Sequence, residues 1–371
     1  MKSTNSTHLE RWLGAEQVAA VSKGMRGFYG PPIALAGVPG AVFVTNDGDF
    51  IGECRAGAEA TSRDRLEDIV RRAKRAVRRT VQRAPNQLNT GFASLSDLIS
   101  EFTAGKGQQL PFYKTGVVSA TSTSTSLFQL PGMPTSGGSA SAAPGGDACT
   151  RSTTGALQQT NASGSDTTHF LNAWATTNIA GTLLLYDRIF QVAKTMSSSS
   201  TEAVTGTPSR YQGTTAGAAN YAGGNFLFPE VVSTLSSTSH SWTTCTYKNQ
   251  AGSSSNLPST SGLSAAATGR NDLASSLPWF APLATGDVGI KSLTQMQCST
   301  ASLTGSINFV IGHPLAFIPC PVANTVCMVD GVNTAFNLVR IYDDACLAFL
   351  DIQKTSSTNT TWAGHITICS G

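Results

Sequence analysis

Beyond residue 110 the chain leaves little room for helices. Its apolar residues fall in short runs, and Ser, Thr, Gly and Ala fill the stretches between them. Runs at 116–119, 126–130, 182–192, 225–232, 241–247, 288–298, 306–318, 346–352 and 362–369 read as strands. Ile307, Phe309 and Ile311 show the two-residue period of a strand with one buried face. Long hydroxyl-rich loops lie at roughly 131–168, 196–223 and 250–276. The expected fold is mainly β: an antiparallel β-sandwich, jelly-roll-like, over 110–371. Loops of that length are uncommon unless they do something. Here they are expected to cover neighbouring subunits or to decorate an outer surface.

Charge divides the chain differently. Charged residues make up 13% of it, against a usual share of roughly 25%. Residues 1–110 hold 26 of the 47 charged side chains. A body so poor in charge points to surface covered in an assembly, or to hydroxyls serving as the polar face. The net charge is +3, but the stretch 61–83 alone carries nine Arg or Lys against three Asp or Glu. A basic element on a near-neutral body suits a polyanion or an acidic patch on a neighbouring subunit.

Residues 1–60 read as an extended arm, because Pro31, Pro32 and Pro39 with Gly30, Gly37 and Gly40 forbid long helices. A hairpin is expected within it, with strands at 41–44 and 50–51 around an Asn46-Asp47-Gly48 turn. Residues 61–105 read as a basic amphipathic helix and a second, shorter one. Thr61 and Asp64 form a capping box for the first. Leu66, Ile69, Val70, Ala73, Val77 and Val81 share one face, and Pro85 ends the helix. Arg71, Arg72, Lys74, Arg75, Arg78 and Arg79 are the candidate docking or phosphate-contact residues. No aromatic residue interrupts this helix, so base stacking is not expected. The shorter helix starts at Ser94, capped with Asp97. Leu95, Leu98, Ile99 and Phe102 form its apolar face, and Gly105 suits its end.

Motifs for chemistry are missing from the sequence. Gly105-Lys106-Gly107 lacks the glycine that a phosphate loop needs five residues earlier, and Gly262-Leu263-Ser264 lacks the closing glycine of a nucleophile elbow. His313, Cys320 and Cys327, spaced seven apart, match no usual metal-ligand spacing. Asp343-Asp344 reads as a solvated turn, and no cofactor is expected. The eight cysteines sit mostly in apolar runs and are expected to be largely free thiols. No secretory signal is expected at the N-terminus, and no apolar run approaches the roughly 20 residues that span a bilayer.

Several phrases in the second half resemble segments of virion structural proteins of tailed bacteriophages. They are residues 246–252, 278–291, 313–319 and 340–349, with 94–102 and 110–114 at the start of the similar region. The resemblance covers about 94–371 and leaves out the basic helix. It implies a capsid-associated or capsid-forming protein without a cofactor, and it carries over no functional residue.

The expected function is therefore structural and non-enzymatic: a phage head protein, made in the host cytoplasm and located in the virion. It would assemble with itself and other capsid subunits, and the basic helix could touch packaged nucleic acid non-specifically. A cement, decoration or spike component ranks above the main shell protein, because the shell fold of tailed phages implies a long spine helix and 110–371 reads as strands. The other alternative is a receptor- or glycan-binding β-sandwich, with Trp174, Trp242, Trp279 and Trp362 as candidate sugar platforms.

Overall fold

The computed structural model describes Phe92, residues 94–119, 123–213, 223–274, 279–301, 304–334, 338–352 and 357–371, and the strands at 41–44 and 50–54. The basic helix at 61–83, with Arg71, Arg72, Lys74, Arg75, Arg78 and Arg79, lies outside the described residues, as does most of the expected arm. The chain divides into two units, 1–88 and 89–371.

In the first unit, β1 (Ala41–Val44) and β2 (Phe50–Cys54) pair antiparallel, with Ala41 opposite Cys54. This is the hairpin that the Asn46-Asp47-Gly48 turn signal implies.

The second unit opens with α1 (Leu95–Glu101), where Ser94 Oγ accepts from the Asp97 amide at 3.1 Å, as the capping pattern requires. Its expected apolar face needs correcting. Leu98 is buried, but Leu95, Ile99 and Phe102 are exposed. Gly105 takes φ 85°, which lets the chain turn sharply out of the helical stretch.

The strands then follow in order: β3 (Gly107–Ser119), β4 (Thr125–Ser126), β5 (Gly132–Met133), β6 (Asp147–Ala148), β7 (Thr168–Thr177), β8 (Gly181–Lys194), β9 (Glu202–Ala203) and β10 (Phe226–Ser233). After them come β11 (Ser241–Trp242), β12 (Thr246–Asn249), β13 (Ser254–Asn256), β14 (Thr260–Ser261), β15 (Ile290–Met296), β16 (Ser306–Cys320) and β17 (Cys327–Asp330). A single helical turn, α2 (Gly331–Thr334), leads to β18 (Arg340–Ile341), β19 (Leu347–Asp351) and β20 (Ser357–Ser370).

Two six-stranded antiparallel sheets form the body. One runs β10-β16-β8-β19-β4, with β6 also on β8; the other runs β17-β7-β20-β3-β5, with β18 also on β7. The chain crosses between them repeatedly, as at β7 to β8, β16 to β17 and β19 to β20. A shared core fills the space between the sheets: Phe112, Ala173, Ala175, Ile366 and Trp362 from one, Leu183, Leu185, Ile318 and Phe349 from the other. The Phe112 and Phe349 rings meet across it at 4.3 Å. The body is thus an antiparallel β-sandwich.

The first sheet is buried on both faces. Opposite the sandwich core, Leu184, Tyr186, Phe228 and Val310 pack against Phe128, Cys149 and Ala156. Further along, Val192, Leu227 and Phe309 pack against Trp242, Tyr247 and Leu293 of the smaller β11-β14 and β13-β12-β15-β9 sheets. Double burial explains the near-continuous apolar run of β8.

The first long loop is therefore used locally. The Leu157 amide donates to Leu347 O at 3.0 Å, Ala193 N to Ser141 O at 3.2 Å, and Ala140 N to Asn308 Oδ1 at 3.2 Å. The described part of 250–276 does likewise, with Ser126 N donating to Gly269 O and Asp272 N to Pro229 O, each at 2.7 Å. Parts of both hydroxyl-rich loops thus pack on the chain's own first sheet.

Two strand readings also change. Residues 127–129 form a 3-10 turn, with Ser126 Oγ accepting from the Phe128 amide at 3.3 Å. Residues 168–177, where the sequence reading placed no strand, form β7, which pairs along β20.

Candidate functional site

Buried charge is the first place to look for chemistry, because perturbed groups gather at active sites. Arg188 forks onto Glu230, with Nη1 to Oε1 at 2.9 Å and Nη2 to Oε2 at 2.7 Å. Its Nε donates to Gln191 Oε1 at 2.9 Å, its plane lies 4.1 Å from the Phe128 ring centre, and Gln129 Nε2 donates to Glu230 Oε2 at 2.8 Å. Alongside, Arg210 forks onto Asp187 at 2.8 and 2.7 Å, and Asp187 Oδ1 also accepts from the Cys346 amide at 2.9 Å. Every charge here is neutralised and hydrogen-bonded. Such a network fixes register and leaves no free acid or base.

His240 and Asp272 form a buried pair at 2.7 Å. The other ring nitrogen faces Thr238 O at 3.3 Å, and Asp272 further accepts from Trp242 Nε1 and the Leu263 amide. Burial lowers the imidazole's affinity for its proton, but the Asp272 hydrogen bond and charge outweigh it and raise the pKa above 6.5. With an acceptor at each nitrogen, this histidine holds its protons and has no nitrogen left to take one from a substrate.

His313 is the opposite case. Asn225 Nδ2 donates to Tyr211 O and Ile290 O, so its Oδ1 must be the acceptor facing His313 Nδ1 at 2.6 Å. Nδ1 therefore carries the proton. The ring stacks on Tyr211 at 3.9 Å, and burial pushes its pKa down to about 4. Cys320 and Cys327 do come together in space, but His313 bonds elsewhere. Among the described residues no group of three or more His, Cys, Asp or Glu is placed to hold a metal ion.

Asp343 and Asp344 form an exposed turn, with Asp344 at φ 59° and bonded to Arg151 and Asn161, while Asp343 accepts from the Ala162 amide. Trp242 and Trp362 are core residues, and Trp174 packs edge-on against His365 at 4.4 Å. An open groove of about 490 Å³ lies beside β5, between Leu110, Pro111, Met133, Pro134, Thr154 and Leu157. It is lined by no tryptophan and no titratable side chain, so it offers a hydroxyl-flecked apolar surface and no proton-transfer chemistry.

The most unusual surface is at the other edge of the same sheet. β17 is an outer strand, paired on one side to β7 through Cys327 opposite Ala175 and Met328 opposite Trp174. The connection that feeds it carries Val322 and Val326, Met328 follows on β17 itself, and Phe317 lies near the end of β16; all four are exposed, Val326 and Met328 at 67% and 66%. Its backbone is held in place: the Asn324 amide donates to Thr177 O at 2.7 Å, with Asn324 at φ 58°. Between Asp287 and Asp330 the only charged side chain is Lys291, so this ridge is apolar and uncharged. A rigid apolar ridge beside an outer strand is a ready template for pairing with another chain. Strand periodicity alone could not locate it, because it depends on which strand ends at a sheet edge.

Among the described residues no helix is long and apolar enough to cross a membrane. No family model, curated protein or solved structure matches the chain.

Proposed function

We propose that the chain is a non-enzymatic structural protein of a phage head, assembling with copies of itself through its β-sandwich body. The observation that carries this reading is the exposed apolar ridge of Val322, Val326 and Met328 on the outer strand β17 and the connection that leads into it. A second copy meeting it across a two-fold axis would continue the sheet and bury apolar side chains from both copies. The low charge of the body supports the same reading, as does its resemblance to tailed-phage virion phrases. A cement, decoration or spike role is preferred over the main shell, because the described part of the body is built of strands around a short α1. The basic residues Arg71, Arg72, Lys74, Arg75, Arg78 and Arg79 would dock the N-terminal region on an acidic subunit surface or on the packaged genome.

Electron microscopy of the purified full chain, alone and mixed with phage heads lacking it, tests the proposal. Regular oligomers or ordered occupancy on the heads is the expected result. A monomer that binds no head at micromolar concentration would overturn it. The receptor- or glycan-binding alternative predicts saturable binding to cells or glycans, with loss on altering the groove at Met133 and Pro134.

A further inference from the structure

Cys320 is the last residue of β16 and Cys327 the first of β17, and these strands belong to different sheets of the sandwich. Cys327 lies opposite Ala175 in the β17–β7 ladder. The Cys320 thiol donates to the carbonyl of that same Ala175 at 3.9 Å, so both thiols are placed at the same residue of β7. The intervening six residues are held by the Asn324 to Thr177 bond, so the two sulfurs are kept together by backbone pairing on both sides. Both cysteines are free thiols, Cys320 buried and Cys327 partly exposed.

We propose that Cys320 and Cys327 form an intramolecular disulfide when the chain meets a disulfide oxidant, and that this bond staples the two sheets at their open edge. The accessible Cys327 thiol gives up its proton and attacks the oxidant disulfide RSSR, forming a mixed disulfide and releasing RSH. Cys320 then gives up its proton and attacks the Cys327 sulfur, closing the Cys320–Cys327 bond and releasing the second RSH. Two protein thiols lose two electrons and two protons, and the oxidant leaves as two thiols. Burial, followed by the neighbouring Cys327 thiol, pushes Cys320 up to about 12, so it rests as a thiol until Cys327 has been activated. The bond would lie directly beneath the Val322–Val326 ridge and hold it in its present shape, whatever partner the ridge meets.

A second pair provides an internal comparison. Cys149 and Cys346 sit in one core cluster, and the Cys149 amide and Cys346 carbonyl pair with the neighbouring residues Ile189 and Arg188 of β8. Both are fully buried, so a soluble oxidant cannot reach either without unfolding.

The test is to treat the native full chain with oxidised glutathione, block residual thiols with N-ethylmaleimide, and map peptides by mass spectrometry. The expected peptide spanning 320–327 lacks two hydrogens and carries no maleimide, while Cys149 and Cys346 remain reduced. The oxidised chain should melt about 5 °C higher, as closing a short loop implies. Cys327→Ser should lose both effects while keeping its far-ultraviolet circular dichroism, and the wild-type map decides the matter without that variant. Maleimide on both cysteines, glutathione retained on Cys327, or a link between two copies would each overturn the proposal.

Discussion

The Arg188 guanidinium and the Glu230 carboxylate face one another through two parallel hydrogen bonds, both side chains wholly shielded from water. They sit on different strands of the first sheet, β8 and β10, separated by β16. The pair bridges over the middle strand and ties the 3-10 turn to the sheet through Gln129.

Removing one partner leaves the other charge buried and unpaired, which typically costs about 3–5 kcal/mol. Arg188→Met and Glu230→Gln should each destabilise the chain by that order in urea unfolding. The double replacement Arg188→Met, Glu230→Leu should cost less than either single change. A double variant as unstable as the two single losses added together would show that the residues act independently.

Histidine sets an acid limit on stability. His313 stays neutral in the folded chain down to about pH 4, whereas an unfolded histidine takes its proton near 6.5. As pH falls through that window the unfolded state binds the proton first, so stability drops, by at most about 3 kcal/mol at 1.36 kcal/mol per pH unit. His313→Gln should flatten this limb of a plot of urea midpoint against pH. His240 runs the other way. Its raised pKa contributes stability that is complete below about 6.5 and fades as pH rises through the folded value. His240→Gln should therefore lose more stability at pH 6 than at pH 9, and equal losses at both would contradict the Asp272 pairing.

Gly364 faces Ala175 in the β20–β7 ladder, and a Cβ there would lie 2.1 Å from the Trp174 carbonyl oxygen. Backbone cannot yield as a side-chain tip can. Gly364→Ala should cost about 1–3 kcal/mol by overpacking, read as a lowered thermal midpoint. An unchanged midpoint would mean that the two strands separate freely at this point.

The strands most easily read from the sequence are those with large apolar residues, such as β8, β16 and β19. β7 is hard to read because its inward positions after Phe170 are Ala173 and Ala175, while the bulkier Trp174 faces partly outward. Most of β3 escaped because Pro111 and Lys114 look foreign to a buried strand. Lys114 is nevertheless buried, donating to Leu130 O at 3.0 Å and Pro134 O at 2.7 Å, and burial lowers its pKa to about 8. The local signals at Ser94, Asp97 and Gly105 were legible because caps and turns depend on neighbouring residues alone. The β17 ridge was not, since exposure there is decided by strand order across the sandwich. The Cys149 and Cys346 pair is equally non-local: the two are far apart in sequence and come together because their chain segments lie side by side on β8.

Sedimentation velocity of the full chain beside its Val326→Lys, Met328→Glu variant tests the assembly claim most directly. Both replaced side chains are exposed in the single chain, so the variant should keep the wild-type far-ultraviolet circular dichroism. The wild type should sediment as an oligomer whose share grows with concentration, and the variant as a monomer throughout. A wild type that stays monomeric, or a variant that assembles equally well, would contradict assembly through the β17 edge.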